Sequence, residues 1–348
     1  MSFLIYGASG YTGKIVVENV LKLGLKPTLA GRTEHKIKNL ARDFKLDYLI
    51  FSLDDIDTIA QNIEAFPLVL NCAGPFSKTA QPMIKACLQA GVHYLDITGE
   101  IEVFEMAKSY HQKAIEKNII ILSGVGFDVV PTDCMAKFLH DKMPDATHLE
   151  LAWAGLGGNI SHGTMSTMVE NLGKSGAIRK NGKIVPTPIG HIGKTIDFGR
   201  KQIFCMTIPW GDVSTAHFTT QIPNIMVFSA VPKNVYYTLK FQPIFNPIIG
   251  TDFIKNKIQH YIDKNISGPN FERREKGKSL IYGKITNQQG DSIEARLETA
   301  EAYKLTAEMA TKIALKVILD KSLKPGYHTP AELFGAALIL EMYGSKFF

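Results

Sequence analysis

The chain has 348 residues, too many for one average domain, and length alone points to about two. Hydrophobic residues make up 45% and charged residues 21%, which fits a globular chain with a large core and excludes a disordered or collagen-like one. The net charge of +6 is mild and dispersed. Its densest cluster, Arg273, Arg274, Lys276 and Lys278, is interrupted by Glu275 and preceded by Glu272, so it reads as a solvated loop and nucleic acid is not an expected partner.

Cys72, Cys87, Cys134 and Cys205 never stand at the short spacing of a zinc site or a redox dithiol, and each has mostly apolar neighbours. Reduced core cysteines and a reducing compartment are the expectation. The first residues show no secretory signal, because Phe3–Tyr6 is too short for one and runs into glycine. No uninterrupted apolar run of about 20 residues occurs, so no spanning helix is expected. These features point to a cytoplasmic protein.

Short apolar runs read as buried parallel strands at Phe3–Tyr6, Thr28–Ala30, Tyr48–Phe51, Leu68–Asn71, His93–Ile97 and Ile119–Leu122. Amphipathic stretches lie between them. In the first, Ile15, Val16, Val20 and Leu23 recur at helical spacing, and further helices are predicted over Thr33–Asp43, Asp55–Phe66, Thr79–Ala90, Ile101–Lys117 and Thr132–Lys142. Strands alternating with helices predict an α/β domain, a Rossmann-type doubly wound parallel sheet, over residues 1–146.

From residue 147 the pattern changes. Leu149–Ala154 reads as a strand, and glycines and polar residues punctuate the chain up to about Arg200. Ser279–Thr286 and Asp291–Thr299 flank Asn287-Gln288-Gln289-Gly290, a hairpin turn. Residues 147–300 are therefore expected to form a second, α+β domain with a largely antiparallel sheet, serving substrate binding or dimerisation. Residues 301–348 hold helices that can pack back on the first domain: Leu305, Met309, Ile313 and Val317 share one face, and Thr329-Pro330 starts a last helix. Residues 225–250 are rich in large apolar side chains. Core and subunit interface are one reading; a hydrophobic substrate lining or a peripheral membrane or lipid contact is the other.

The strongest motif is Gly7-Ala8-Ser9-Gly10-Tyr11-Thr12-Gly13, between a short apolar strand and an amphipathic helix. Its glycines permit a tight turn and close backbone approach to a pyrophosphate, which the following helix N-terminus attracts. A nicotinamide dinucleotide is the expected cofactor. A carboxylate at the end of the second strand would select the ribose hydroxyl of NAD(H). Here Leu29-Ala30-Gly31-Arg32-Thr33 carries none, and Arg32, with Thr33 beside it, suits a 2′-phosphate, so NADP(H) is favoured. Lys36 can assist and Glu34 opposes. Asp54, after the third strand, either meets the adenine edge or caps the next helix. Asn71, Cys72, Ala73, Gly74 and Pro75, after the fourth, either line the nicotinamide half or form an ordinary turn.

Proton-handling candidates follow later strands. Asp96, Thr98 and Glu100 stand after the fifth, Asp128 and Asp133 after the sixth, and each has a structural reading as a loop or helix-start residue. Glu100 and Asp128 are the preferred pair, each beyond a strand end and near a glycine. Ser161-His162-Gly163-Thr164 introduces a helix, with a second capping box at Thr167 and Glu170. His162 is a third candidate proton donor, or simply part of a helix cap. No histidine pair has metal spacing, so no catalytic metal is expected.

On Gly7–Gly13, Leu29-Ala30-Gly31-Arg32, Asn71–Phe76, His93–Glu100, Gly126–Asp133, Ser161–Thr164, Pro325–Pro330 and Phe334-Gly335, the sequence resembles the saccharopine dehydrogenase-like oxidoreductases. It is closer to their trans-acting enoyl reductase and uncharacterised branches than to lysine-pathway saccharopine reductases. The resemblance implies NADP-linked reduction of a C=C, C=O or C=N bond in a small molecule, with an enoyl thioester or lipid-like substrate as its specific form. Two alternatives stand beside it. A saccharopine reductase-like enzyme would need a basic pocket, to which Arg179, Lys180 and Lys183 could contribute. A non-catalytic cofactor-binding scaffold, associated with a membrane or partner, would keep the glycine loop and lack a proton donor. A symmetric homodimer is the expectation from oligomer statistics.

Overall fold

A computed structural model describes residues 2–157, 173–240, 251–265 and 268–348, with Met165 and Val169 standing alone between the first two ranges. The chain divides into two units, Met1–Asp128 with Tyr303–Leu333, and Val129–Ala302 with Phe334–Phe348.

In the first unit the apolar runs become β1 (Leu4–Tyr6), β2 (Thr28–Gly31), β3 (Tyr48–Ile50), β4 (Leu68–Asn71), β5 (His93–Asp96) and β6 (Ile120–Leu122). All pair in parallel, in the order β6-β5-β4-β1-β2-β3, and a seventh strand, Gly326–His328, lies beside β6. Central strands are apolar on both faces because helices cover both, so Leu4, Ile5, Leu68, Val69 and Leu70 are fully buried. The connecting helices are α1 (Tyr11–Lys22), α2 (Glu34–Phe44), α3 (Ile56–Ile63), α4 (Phe76–Ala90), α5 (Ile101–Lys108) and α6 (His111–Glu116).

Three expectations change here. Leu23 does not join the packed face of α1; Val16, Val17 and Val20 do, while Leu23 follows the last helical residue and is exposed. The helix expected over 101–117 is two helices. The Ser109 hydroxyl donates to the Met106 carbonyl at 2.6 Å, a local bond that competes with the helical ladder. The seventh strand was not legible as one: it is three residues long, and its Tyr327 N–H donates to Nδ1 of His111 at 3.1 Å.

The second unit is built on a nine-stranded, largely antiparallel sheet. Its centre is His148–Leu156, flanked antiparallel by Lys278–Thr286 and parallel by Asn224–Ala230. Lys278–Thr286 and Ser292–Ala300 form the expected hairpin. Asn287 closes the turn by accepting the Asp291 N–H at 2.9 Å, and Gly290 takes φ +91°. Helix α7 (Val130–His140) packs on this sheet, which places the unit boundary at 128/129 and not at the expected 146/147. Gly283 makes room for it: a Cβ there would lie 2.5 Å from Cγ of Met135. The long helix Ala302–Leu319 buries Leu305, Met309, Ile313 and Val317 as its spacing predicts.

The apolar stretch 225–250 resolves in part. Ile225, Val227 and Phe228 are core residues of Asn224–Ala230. On the helix Lys233–Lys240, Tyr236 is buried and Tyr237 exposed, and residues 241–250 lie outside the described ones. No helix among the described residues is long and apolar enough to cross a membrane.

Candidate functional site

Because the strands of the first unit are parallel, every loop leaving a strand's carboxyl end reaches the same sheet edge. The order reverses at β1 and β4, where such sheets open a crevice. The glycine loop leaves β1 there. Gly7 has φ +79°, and a Cβ on it would lie 2.6 Å from the Ala73 backbone nitrogen. A Cβ on Gly13 would lie 2.4 Å from the Gly7 carbonyl oxygen. The loop is held from behind, Gly7 N–H donating to the Ala30 carbonyl at 2.8 Å.

Helix α1 then starts at Tyr11 with Gly10 as its N-cap, with no side-chain cap and no acidic residue in its first turn. A helix start carries unpaired N–H groups and a positive dipole end, so this one is prepared for an anion. Its neighbours differ. Asp55 caps α3, accepting the Thr58 N–H at 2.9 Å, and Glu100 serves α4. Gly7, Ser9 and Gly10 are at least partly accessible, with Tyr11 and Thr12 beyond them, while Ala8 packs inward. This backbone cradle fits a pyrophosphate.

At the end of β2, Arg32 is exposed, Thr33 N-caps α2, and Lys36 projects from its first turn. Glu34, which could have opposed a phosphate, is paired with Lys38 at 2.5 Å. The cap of α3 is Asp55, so the capping reading of Asp54 falls. Asp54 and Arg32 both act on the Tyr6 hydroxyl, which donates to the Phe51 carbonyl at 3.1 Å. Burial, opposed by Arg32 and aided by Asp54, pushes that phenol up to about 12.

The loops after β4, β5 and β6 are tied by one buried polar network. Asp96 is fully buried and accepts from Tyr94 Oη (2.9 Å), Ser123 Oγ (3.0 Å), Thr98 N–H (3.0 Å) and Gly124 N–H (2.9 Å). Burial still raises its carboxyl above the usual range. Asn71 continues the network, donating to Tyr94 Oη at 3.3 Å and accepting the Ala73 N–H at 3.0 Å. Thr79 Oγ1 donates to the Ala73 carbonyl at 2.6 Å. The segment Cys72–Pro75 is thus held as a shaped wall; burial pushes the Cys72 thiol up to about 12, which leaves it a neutral lining atom. Gly74 is exposed and its added Cβ would meet only Phe76.

Glu100 and Asp128 differ in role. The two Glu100 oxygens accept the N–H groups of Phe76 and Ser77, each at 2.9 Å, so this carboxylate is committed to the start of α4. Asp128 lies against Gly99, where a Cβ would stand 2.6 Å from Oδ2. Burial first, and the Glu100 charge second, push its carboxyl up to about 7.

Other expected residues lie elsewhere. Asp133 is buried in the second unit and accepts from Thr219 Oγ1 at 2.5 Å. Arg179 is buried and donates to the carbonyls of Val213 (2.7 Å) and Gly182 (2.6 Å), while Lys180 and Lys183 are exposed on the hairpin that follows. His162 and its motif 161–164, with Thr167 and Glu170, lie outside the described residues. No group of metal-ligating side chains occurs among the described residues. Tyr94 and Ser123 were missed. The signal was present: Tyr94 and Asp96 stand two apart on one strand and share a face, and Asn71 pairs in register with Asp96.

Residues 3–122 match the family described as the saccharopine dehydrogenase NADP binding domain. A saccharopine dehydrogenase-like oxidoreductase of Mus musculus is 27% identical over 202 residues, covering 51% of this chain and 47% of that protein. The match thus spans about half the length of such relatives. The trans-acting enoyl reductase of Mycobacterium bovis is 23% identical across 98% of this chain and 95% of its own. The apo saccharopine dehydrogenase (L-Glu forming) of Saccharomyces cerevisiae has the same fold, with a TM-score of 0.67 at 12% identity over 100% of this chain and 99% of that one.

Proposed function

We propose, on the premise that this chain belongs with the saccharopine dehydrogenase-like proteins through its NADP binding domain, that it is an NADP(H)-dependent oxidoreductase. It reduces a C=C, C=O or C=N bond of a small molecule. The observation that carries this reading is the start of α1: a glycine cradle that no Cβ can enter, leading to a helix N-terminus with no side-chain cap and no acidic residue in its first turn.

Bound NADPH supplies the hydride. Gly7–Gly13 would hold its pyrophosphate, Arg32 and Thr33 would hold a 2′-phosphate, and Asp54 would meet its adenine side, with Asn71–Pro75 as the wall on the nicotinamide side. Asp128 holds a proton near neutral pH and gives it to the substrate atom that gains negative charge; water restores that proton.

An enoyl thioester or similar apolar substrate is favoured over an amino-acid conjugate. Support comes from the full-length similarity to an enoyl reductase, 23% identical across 98% of this chain. NADPH oxidation should be followed against enoyl thioesters, imines and ketones. Turnover of a thioester is expected. Cofactor binding without turnover on any of them would leave only a scaffold, and absence of cofactor binding would end the proposal altogether.

A further inference from the structure

We propose that Glu100 is a positioning residue: by accepting the amide hydrogens of Phe76 and Ser77 it ties the loop after β5 to the start of α4, fixing both the wall Cys72–Pro75 and the Gly99 backbone against which Asp128 sits. The inference deepens the reading of Asp128 as the proton-handling group.

Phe76 and Ser77 are the first two residues of α4, and their N–H groups have no partner within the helix. Pro75, the N-cap, has no hydroxyl or carboxylate to offer them. Glu100 comes from 24 residues later in the chain and takes both, one oxygen each. Its own backbone is held in turn, because Glu100 N–H donates to Thr98 Oγ1 at 3.1 Å and Thr98 N–H to Asp96. The clamp is therefore continuous with the Asp96 network, and it crosses between two strand ends that no backbone bond joins at this point.

The same geometry links the clamp to Asp128. Gly99 precedes Glu100 directly, and only a glycine lets the Asp128 carboxylate approach its backbone so closely. The charge that bears on Asp128 is that of Glu100. Two carboxylates so near each other cannot both ionise freely. Two N–H donors and the positive end of a helix face the Glu100 carboxylate, and its charge, after burial, pushes the Asp128 carboxyl up. Burial sets most of the Asp128 proton affinity, and Glu100 raises it further without touching the substrate.

Two variants test this on the protein without cofactor, so the outcome is separate from whether NADPH binds. Glu100→Gln keeps the shape, removes the charge and presents an amide NH2 to one of the two N–H groups. The Asp128 titration midpoint, followed by carboxyl carbon resonance, should fall by about one pH unit. One of the Phe76 and Ser77 amides should exchange about tenfold faster with solvent deuterium. Glu100→Asp keeps the charge on a shorter arm; the midpoint should stay nearer the parent's while amide protection still falls. A midpoint that does not move in Glu100→Gln would overturn the proposal and leave Glu100 as a helix cap only. Unchanged exchange at both amides would overturn the clamp itself.

Discussion

Replacing Asp128 by Asn removes one titration while keeping the size and shape of the side chain. In the folded chain this carboxyl protonates at about 7 against an ordinary value of 3.8, a rise of about three pH units worth about 4 kcal/mol as an upper value. The sign follows from proton binding. Below pH 4 both folded and unfolded chains hold the proton and burial costs nothing. Between 4 and 7 the unfolded chain loses it while the folded chain keeps it, so stability falls as pH rises. Above 7 the folded chain carries a half-buried charge and the loss is complete. Asp128→Asn escapes this penalty. Urea denaturation across this range should find the variant equal to the parent near pH 4 and more stable by 1 to 4 kcal/mol at pH 8. Turnover of an enoyl thioester should fall about a hundredfold or more with NADPH affinity kept. Parallel stability–pH curves for parent and variant would refute the burial argument, and full activity in the variant would remove Asp128 from the chemistry.

Gly7→Ala places a Cβ 2.6 Å from the Ala73 nitrogen at a left-handed position, so NADPH binding by calorimetry should be abolished and the thermal midpoint lowered by several degrees; normal binding would contradict the cradle. Arg32→Ala should weaken NADPH about ten- to a hundredfold and NADH little, and equal effects would retire the 2′-phosphate assignment. Asp96→Ala strands four donors in the interior and should cost about 3–5 kcal/mol, measured by denaturation; Asp96→Asn should restore most of it, since the Tyr94 and Ser123 hydroxyls can turn to accept. Among the described residues of 225–250, Tyr237 is exposed while Ile225, Val227 and Phe228 are core, and a protein wholly absent from floated vesicles would exclude lipid contact through this stretch.

The elements that could be read from sequence are those set by local chemistry. Six parallel strands announce themselves as short apolar runs, although the edge strand Tyr48–Ile50 is not buried, the hairpin at 287–290 by its turn residues, and the loop Gly7–Gly13 by glycines between a strand and a helix. The strand–loop–helix unit around Gly7–Gly13 was legible because it is set by residues close together in the chain. The two alternatives for Asp54 were not separable in sequence, since Asp55 is an equally good cap and only the backbone of α3 chooses between them.

Sequence by itself determined the parallel first sheet, the antiparallel character of the second part and the tight glycine turn after the first strand, because backbone periodicity and glycine stereochemistry act over a few residues. Tertiary structure alone decided the rest. Gly326–His328 is a strand because β6 and His111 supply partners some 200 residues away in the chain. Glu100 meets the start of α4 because the fold brings the two together, and the Asp128 carboxyl is pushed up because the folded chain desolvates it and sets the Glu100 charge near it. Burial and proximity of this kind arise from chain segments distant in sequence, and no local pattern encodes them.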